Sequence, residues 1–447
     1  MADVTRRIGL SLGADLCWPL CYEEIIKRLD LSIPLNGDTV RFDIERVQIE
    51  PFDLQRQGRY DVVMDRLTHW YTTSREWIKK AVLLDDTYVL NNPWSIQSME
   101  KQTSYCAMMR LGLPVPHTML VPPKEYEPSD DLDSTLERYA KLFDLGAVGD
   151  HIGYPMFMKP FDGGAWKGVS KLDAEEALRE AYDKSGRLVM HVQKAVDPFD
   201  LFVRCVGVGP QLRCVSYDPA AALHDRYTMD TDFLDDDDRT LLEDMTLTIN
   251  TFFGWDFNSC EALRQPTEAA EAERLAVAKQ RGERPGAWAP TGDLPHLWRP
   301  IDYANGCPDS QVTSLHFHFP WLVLAKVRWS LFCAATQRKK PLNLNWQPFF
   351  DIVDENPDMP LRERLAAFGD IARERLAAEE FEAFCAEHLS HLDEVADEYF
   401  SGTHCKDAVH QKVSSLFPEH EIGTFTDLFW NRIQHWRENA ADGSIAT

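Results

Sequence analysis

The chain has 447 residues, 44% of them hydrophobic and 11% aromatic, with a formal net charge of -25. That length supplies core for two or three domains, and the apolar content excludes a disordered or fibrous chain. The acidic balance excludes general nucleic-acid binding; with no signal-like start in MADVTRRIGLSLG and no bilayer-length apolar run, a cytoplasmic protein without membrane association is expected.

Residues 1–92 read as a small α/β domain, because strand-like runs (RIGLSLG, YDVVMDRL, TYVLN) alternate with amphipathic stretches such as Tyr22 to Leu29. Asp65-Arg66 reads as a strand-end salt bridge beside a packed Trp70. The ten cysteines are scattered and read as reduced core residues. Cys17 and Cys21, with no second pair at zinc spacing, are read as structural. After the breaker Asn91-Asn92-Pro93, Ser95 is placed to cap a helix through Met99, Lys101 and Arg110 that stops at Gly112-Leu113-Pro114. VPHTMLVP follows as a strand, and Thr135 to Phe143 as a helix.

The stretch Tyr154 to Val169, YPMFMKPFDGGAWKGV, is the most informative. An apolar strand delivers Lys159 into a loop holding Gly163, Gly164, Lys167 and Gly168. Glycines let successive backbone N–H groups close around anionic oxygens, and the lysines add mobile positive charge. Neither the P-loop pattern nor GxGxxG is present. On the loop alone, a hairpin turn with two solvated lysines remains the other reading.

Asp173 to Lys184 reads as an amphipathic helix, and Leu188 to Val192 as a buried strand ending at Gln193-Lys194. DLFVRCVGVG turns at Gly209-Pro210 into QLRCVSYDP, a hairpin carrying Arg204 and Arg213: a basic floor if the two share a face, a solvated face otherwise. Beyond an acidic patch, GWDFNSCEAL and RPIDYANGCPD present Glu261, Asp302 and Asn305 at strand ends, hard oxygen donors of the kind magnesium takes, or acids in solvent. Asp256 and Asn258 are weaker candidates. His316 and His318 read as packing or cleft lining, and Trp321, Trp329 and Phe332 recur at helical spacing. Amphipathic helices follow from Pro360 to Phe400 and from Phe425 to Trp436, a tail suited to packing on the catalytic domain, shaping an acceptor pocket, or forming a homodimer.

In order, helix lysine, strand lysine, glycine loop, strand edge, acid, arginines and acidic strand ends resemble the ATP-grasp superfamily over roughly residues 91–309. The resemblance implies an α/β (α+β) ATP-grasp fold: an N-terminal domain over 1–92, a catalytic domain over 93–315 with a surface insertion at 265–297, and a helical extension over 316–447. It implies that Lys101 and Lys159 meet the ATP phosphates under a flexible loop of Gly163, Gly164 and Lys167. Gln193, Lys194 and Val196 would meet adenine, and Asp200 the ribose. Arg204 and Arg213 would hold the terminal phosphate or the acyl substrate, and Glu261, Asp302 and Asn305 would hold Mg2+. The family's usual Glu-x-Asn ending is absent, since two residues separate Asp302 from Asn305, and the long insertion is a further departure. The implied activity is an ADP-forming ligase joining a small carboxylate to an amine through an acylphosphate. The alternatives are a kinase of the same architecture acting on a hydroxyl, or a degenerate nucleotide-binding module.

Overall fold

In a computed structural model of the chain, residues 3–49, 51–95, 100–139, 142–164, 166–230, 232–281 and 288–437 are described. Three sheets organise the first 302 residues. The N-terminal sheet comprises β1 (Asp3–Ser11), β2 (Ile33–Leu35), β3 (Asp38–Arg46), β4 (Val62–Asp65) and β5 (Tyr88–Leu90) in the order β2-β3-β1-β4-β5. All its neighbours are parallel except β2 and β3. Ile8 and Leu10 of the central strand are fully buried, covered by α1 (Cys17–Leu29) through Trp18, Tyr22 and Ile25. A second helix, α2 (Thr72–Asp85), packs Ile78 and Val82 against Val63 and Val89. The expected small α/β domain is thus a sheet whose inner strands are buried because helices connect them.

Two antiparallel four-stranded sheets follow. One holds β6 (Thr118–Val121), β7 (Met156–Pro160), β8 (Ser170–Leu172) and β9 (Met190–Lys194), ordered β6-β9-β7-β8. The other holds β10 (Leu201–Val208), β11 (Gln211–Ser216), β12 (Phe257–Pro266) and β13 (His296–Asp302), ordered β11-β10-β12-β13. The hairpin between β10 and β11 turns at Gly209, whose φ is +58° and where a Cβ would lie 2.4 Å from the Trp329 ring. Only glycine suits both the left-handed backbone and that contact.

The helices between the strands are α3 (Lys101–Arg110), α4 (Leu132–Tyr139), α5 (Leu145–Ile152), α6 (Glu175–Ser185), α7 (Asp236–Phe253) and α8 (Thr267–Arg281). The helix containing Lys101 begins there, after Glu100; the expected start through Ser95 and Met99 falls partly on residues 96–99, outside the described set, as do residues 140–141 of the expected 135–143 helix. The segment expected as a surface insertion is more firmly built in. Gln265 and Leu297 are paired strand residues, Ala270 of α8 is fully buried, and Arg299 of β13 binds Glu273 of α8 at 3.1 Å. Residues 282–287 of that segment lie outside the described set.

After residue 302 the chain is helical. The nearly all-buried helix Phe319–Ala335 packs against α1, β1, β4 and β10, and Tyr22 Oη and Ser330 Oγ are 2.7 Å apart inside it. The helices Leu392–Phe400 and Thr403–Ser414 close over α1, with Cys17, Cys21 and Cys405 buried there, and Ile422–Gln434 packs on Thr403–Ser414. Among the described residues no helix is long and apolar enough to cross a membrane.

Two local expectations change. Asp65 accepts from Ser11 Oγ and from the Leu67 and Thr68 amides, which leaves Arg66 to pair with Asp15 at 3.2 Å and to donate to the Pro308 carbonyl. Trp70 is 57% exposed rather than packed. The N-terminal sheet is stitched to the third sheet by Asn91, whose amide donates to the Phe257 and Gly306 carbonyls and accepts from the Phe257 amide. Asn91→Ala strands all three buried groups and is expected to destabilise the protein by about 3 kcal/mol, read as a lower urea midpoint at unchanged slope.

Candidate active site

Lys159 stands near the end of β7, paired with His191 on β9. Its ammonium crosses to the third sheet, donating to Gln193 Oε1 at 2.8 Å and to the Ile301 carbonyl of β13 at 3.0 Å. Burial pulls its pKa down to about 8, reinforced by Lys101 and opposed by Asp302 and Glu261. Lys101, the first residue of α3, is also buried, donates to the Gly163 carbonyl at 2.7 Å and lies 3.4 Å from Asp302 Oδ2. Lys101 and Lys159 are therefore interior groups; of the two lysines in the loop stretch, only Lys167 is solvated.

The glycine loop arches over them. Gly163 has φ +116°, a value that side chains disfavour, and neither Gly163 nor Gly164 has any atom within 4 Å of where a Cβ would stand. Lys167 is exposed and its amide donates to the Gly164 carbonyl. From the N-terminal domain His69 reaches the loop, with Nε2 3.8 Å from Asp162.

The third sheet supplies charge. Positions 204 and 206 share a face of β10, and Val206 pairs with Arg213, so Arg204 and Arg213 lie on one side. Arg204 meets Glu261 at 2.6 Å, donates to Tyr227 Oη and stacks over Tyr217. Glu261 pairs directly with Asp302 across β12 and β13. Burial raises the Glu261 pKa, Arg204 opposes the rise, and Asp302 adds to it. Asn305 donates Nδ2 to the Ser259 carbonyl, and its amide donates to Asn258 Oδ1. Asn258, buried and bonded to Asn250 and the Tyr303 carbonyl, is the scaffold of that corner.

Of the other named positions, Gln193 touches Lys159 and the rest lie farther out. Gln193 is buried and donates Nε2 to Thr118 Oγ1, and Val196, three residues on, is buried as well. Lys194 turns back to the Gly153 and Tyr154 carbonyls. Asp200 forms a bidentate pair with Arg264, at 3.0 and 2.7 Å.

Two residues that the sequence reading did not name, His191 and Tyr105, sit at this site, together with His318, which it read as packing or cleft lining. His191 is fully buried opposite Lys159, bonded to Gln102 Oε1, with its pKa drawn down to about 4 by burial and by the two lysines. Its signal was the two-residue spacing from Gln193. Tyr105, one turn after Lys101, donates to the Ile301 carbonyl, and Lys159 lies 5.6 Å from its ring centre. His318 accepts from Arg213 Nε at Nδ1 and donates from Nε2 to the Thr228 carbonyl. That arrangement requires a neutral ring, and burial followed by Arg213 takes its pKa to about 3.

Donor chemistry fits a magnesium-nucleotide. Glu261 and Asp302 are adjacent hard carboxylates, Asn305 keeps its carbonyl oxygen uncommitted to any donor named above, and Mg2+ takes one or two carboxylates with phosphate oxygens. Among the described residues no three histidine, cysteine or acidic side chains cluster as a metal site.

No protein-family model matches the chain. A D-alanine-D-alanine ligase of Streptomyces griseus is 25% identical over 227 residues, covering 47% of this chain and 54% of the relative, so the chain spans about half the length of the curated relative it matches. Among solved structures, the D-alanine-D-alanine ligase of Bacillus anthracis complexed with ATP aligns over 84% of this chain and 99% of its own, with 12% identity and a TM-score of 0.40. The RimK domain ATP-grasp protein of Sphaerobacter thermophilus covers 67% and 92%, with 15% identity and a TM-score of 0.39. The macrocyclase MdnC of Microcystis aeruginosa, bound to its precursor peptide MdnA, covers 72% and 99%, with 12% identity and a TM-score of 0.41.

Arg204→Met leaves the Glu261 carboxylate buried without its cation and is expected to cost about 3–5 kcal/mol. Adding Glu261→Gln to that variant is expected to restore most of the loss in urea unfolding, as a coupled pair requires.

Proposed function

We propose that this chain, which resembles the ATP-grasp ligases and shares their mixed α/β fold, is an ATP-dependent ligase that activates a small carboxylate and joins it to an amine. The observation that carries the reading is the convergence on one cleft of Lys101 and Lys159 from one side and of Glu261, Asp302 and Arg204 from the other. The curated relative is itself a ligase, a D-alanine-D-alanine ligase.

In this reading the polyphosphate of ATP lies between the glycine loop and the third sheet. Lys101 and Lys159 neutralise it, and the loop's open backbone at Gly163 and Gly164 lets amide groups approach. Glu261, Asp302 and Asn305 would hold Mg2+, which supplies charge neutralisation and alignment of the phosphates. A carboxylate oxygen attacks the γ-phosphorus and the bond to the β-bridging oxygen breaks, giving ADP and an acylphosphate. The amine then attacks the acyl carbon, phosphate leaves, and the amine proton passes to phosphate or solvent. Arg204 and Arg213 face the cleft side of their hairpin and are suited to steady the transferring group, with neutral His318 fixing the Arg213 guanidinium. No protein nucleophile is needed, because the barrier is mainly one of alignment and charge.

Lys159→Ala and Asp302→Ala are each expected to lower ATP turnover about a hundredfold or more, with circular dichroism and thermal unfolding that remain those of a folded protein. The deciding assay supplies pools of amino acids, other carboxylates and polyols. ADP and free phosphate appearing only with both a carboxylate and an amine is the expected result, whereas ADP with a phosphorylated polyol and no free phosphate overturns it.

The pH dependence has a definite sign. With its pKa at about 8, Lys159 is charged below that pH and neutral above it, so the affinity of the free enzyme for ATP is expected to fall as pH rises through about 8. Lys159→Ala removes that step. Affinity measured by calorimetry from pH 6.5 to about 9.5 checks both curves.

A further inference from the structure

A second cavity, of about 250 Å3, lies where the three regions of the chain meet. Tyr88 of β5, Asp256 at the entry to β12, Arg338 and Lys340 of the connection after helix Phe319–Ala335, and Arg375 of helix Leu361–Leu376 line it. Exposed Asn343 and Asn345 stand at its edge. Its lining thus holds three cations against one carboxylate, in a chain whose formal charge is -25.

That carboxylate is already engaged. Asp256 pairs with Lys340 and accepts from Tyr88 Oη at 2.7 Å. Among the described residues neither guanidinium is placed in an ion pair, and Asp256 acts on Arg338 and Glu374 on Arg375 only through longer-range charge. Arg375 donates to the Leu344 and Asn345 carbonyls, at 3.0 and 2.6 Å, and Arg338 donates to the Arg375 carbonyl while standing over the Trp329 ring. Arg338 Nε is buried without any hydrogen-bond partner. A buried, unpaired guanidinium N–H is costly, and two like charges on one wall repel. An oxyanion entering from the cavity relieves both costs, and arginine's planar fork suits phosphate geometry.

We propose that this cavity is a binding site for a small dianion of the phosphate or phosphate-monoester class, held by Arg338 and Arg375 and separate from the nucleotide cleft. The site is independent of the ligase reading, since it shares no residue with that cleft.

The test is calorimetric titration of the full chain with inorganic phosphate and with glycerol 3-phosphate. Saturable one-to-one binding is expected in the unaltered protein and in Lys159→Ala, weakened about tenfold or more in Arg338→Gln and in Arg375→Gln. The absence of saturable binding overturns the proposal. So does binding lost in Lys159→Ala and kept in both arginine variants, which places the anion at the glycine loop. If Arg338→Gln fails to fold, Arg375→Gln and the charge-keeping Arg375→Lys decide the matter, with partial retention expected only in the latter.

Discussion

The cleft depends on one buried ammonium. Lys159 leaves the second sheet and finds its hydrogen bonds at Gln193 in that sheet and at the Ile301 carbonyl of the third, so a single charge bridges both walls. Burying an amine is unfavourable unless its protons are satisfied, and burial draws the Lys159 pKa down to about 8. Everything nearby answers that charge: Tyr105 holds the same Ile301 carbonyl, and Asp302 follows it by one residue. A polyphosphate entering this space meets an ammonium that is already positioned and only partly compensated, which is the condition for strong electrostatic binding.

The rest of the site is a set of paired charges awaiting exchange. Arg204 holds Glu261 and Lys101 faces Asp302, while the two carboxylates oppose each other across the same ladder. In isolation these pairs make the cleft stable. A cation shared by the carboxylates would take over the role of the two basic groups and free them for anionic oxygens. The same residues therefore satisfy one another in the free protein and suit a metal-phosphate ligand.

The flanking regions are parts of one core. Asp15, Arg66 and the Pro308 carbonyl tie the N-terminal sheet to the loop after β13, and Lys326 sits 3.7 Å above the Trp18 ring. Helices Leu392–Phe400 and Thr403–Ser414 close over α1 while helix Leu361–Leu376 packs on α7, so the tail packs on both the N-terminal and the middle regions. The proposed nucleotide cleft lies between the second and third sheets, with the glycine loop and His69 at its edge.

What the sequence by itself determined was local. The strand ending in Lys159, the glycine loop, the Arg204–Arg213 hairpin and the helical tail follow from periodicity and turn chemistry, which act over a few residues. The sequence also suggested the family resemblance, because the order of those pieces is itself sequential. Only the tertiary structure decided which partners meet: that Arg66 pairs with Asp15 and not with its neighbour Asp65, that residues 265 and 297 are paired strand positions with Ala270 buried between them in the chain, that the Asp200 carboxylate is held by Arg264, and that His191 and His318 stand beside Lys159 and Arg213. Those outcomes turn on desolvation and on contacts between residues 30 to more than 200 positions apart, and neither quantity is written in any short stretch of chain.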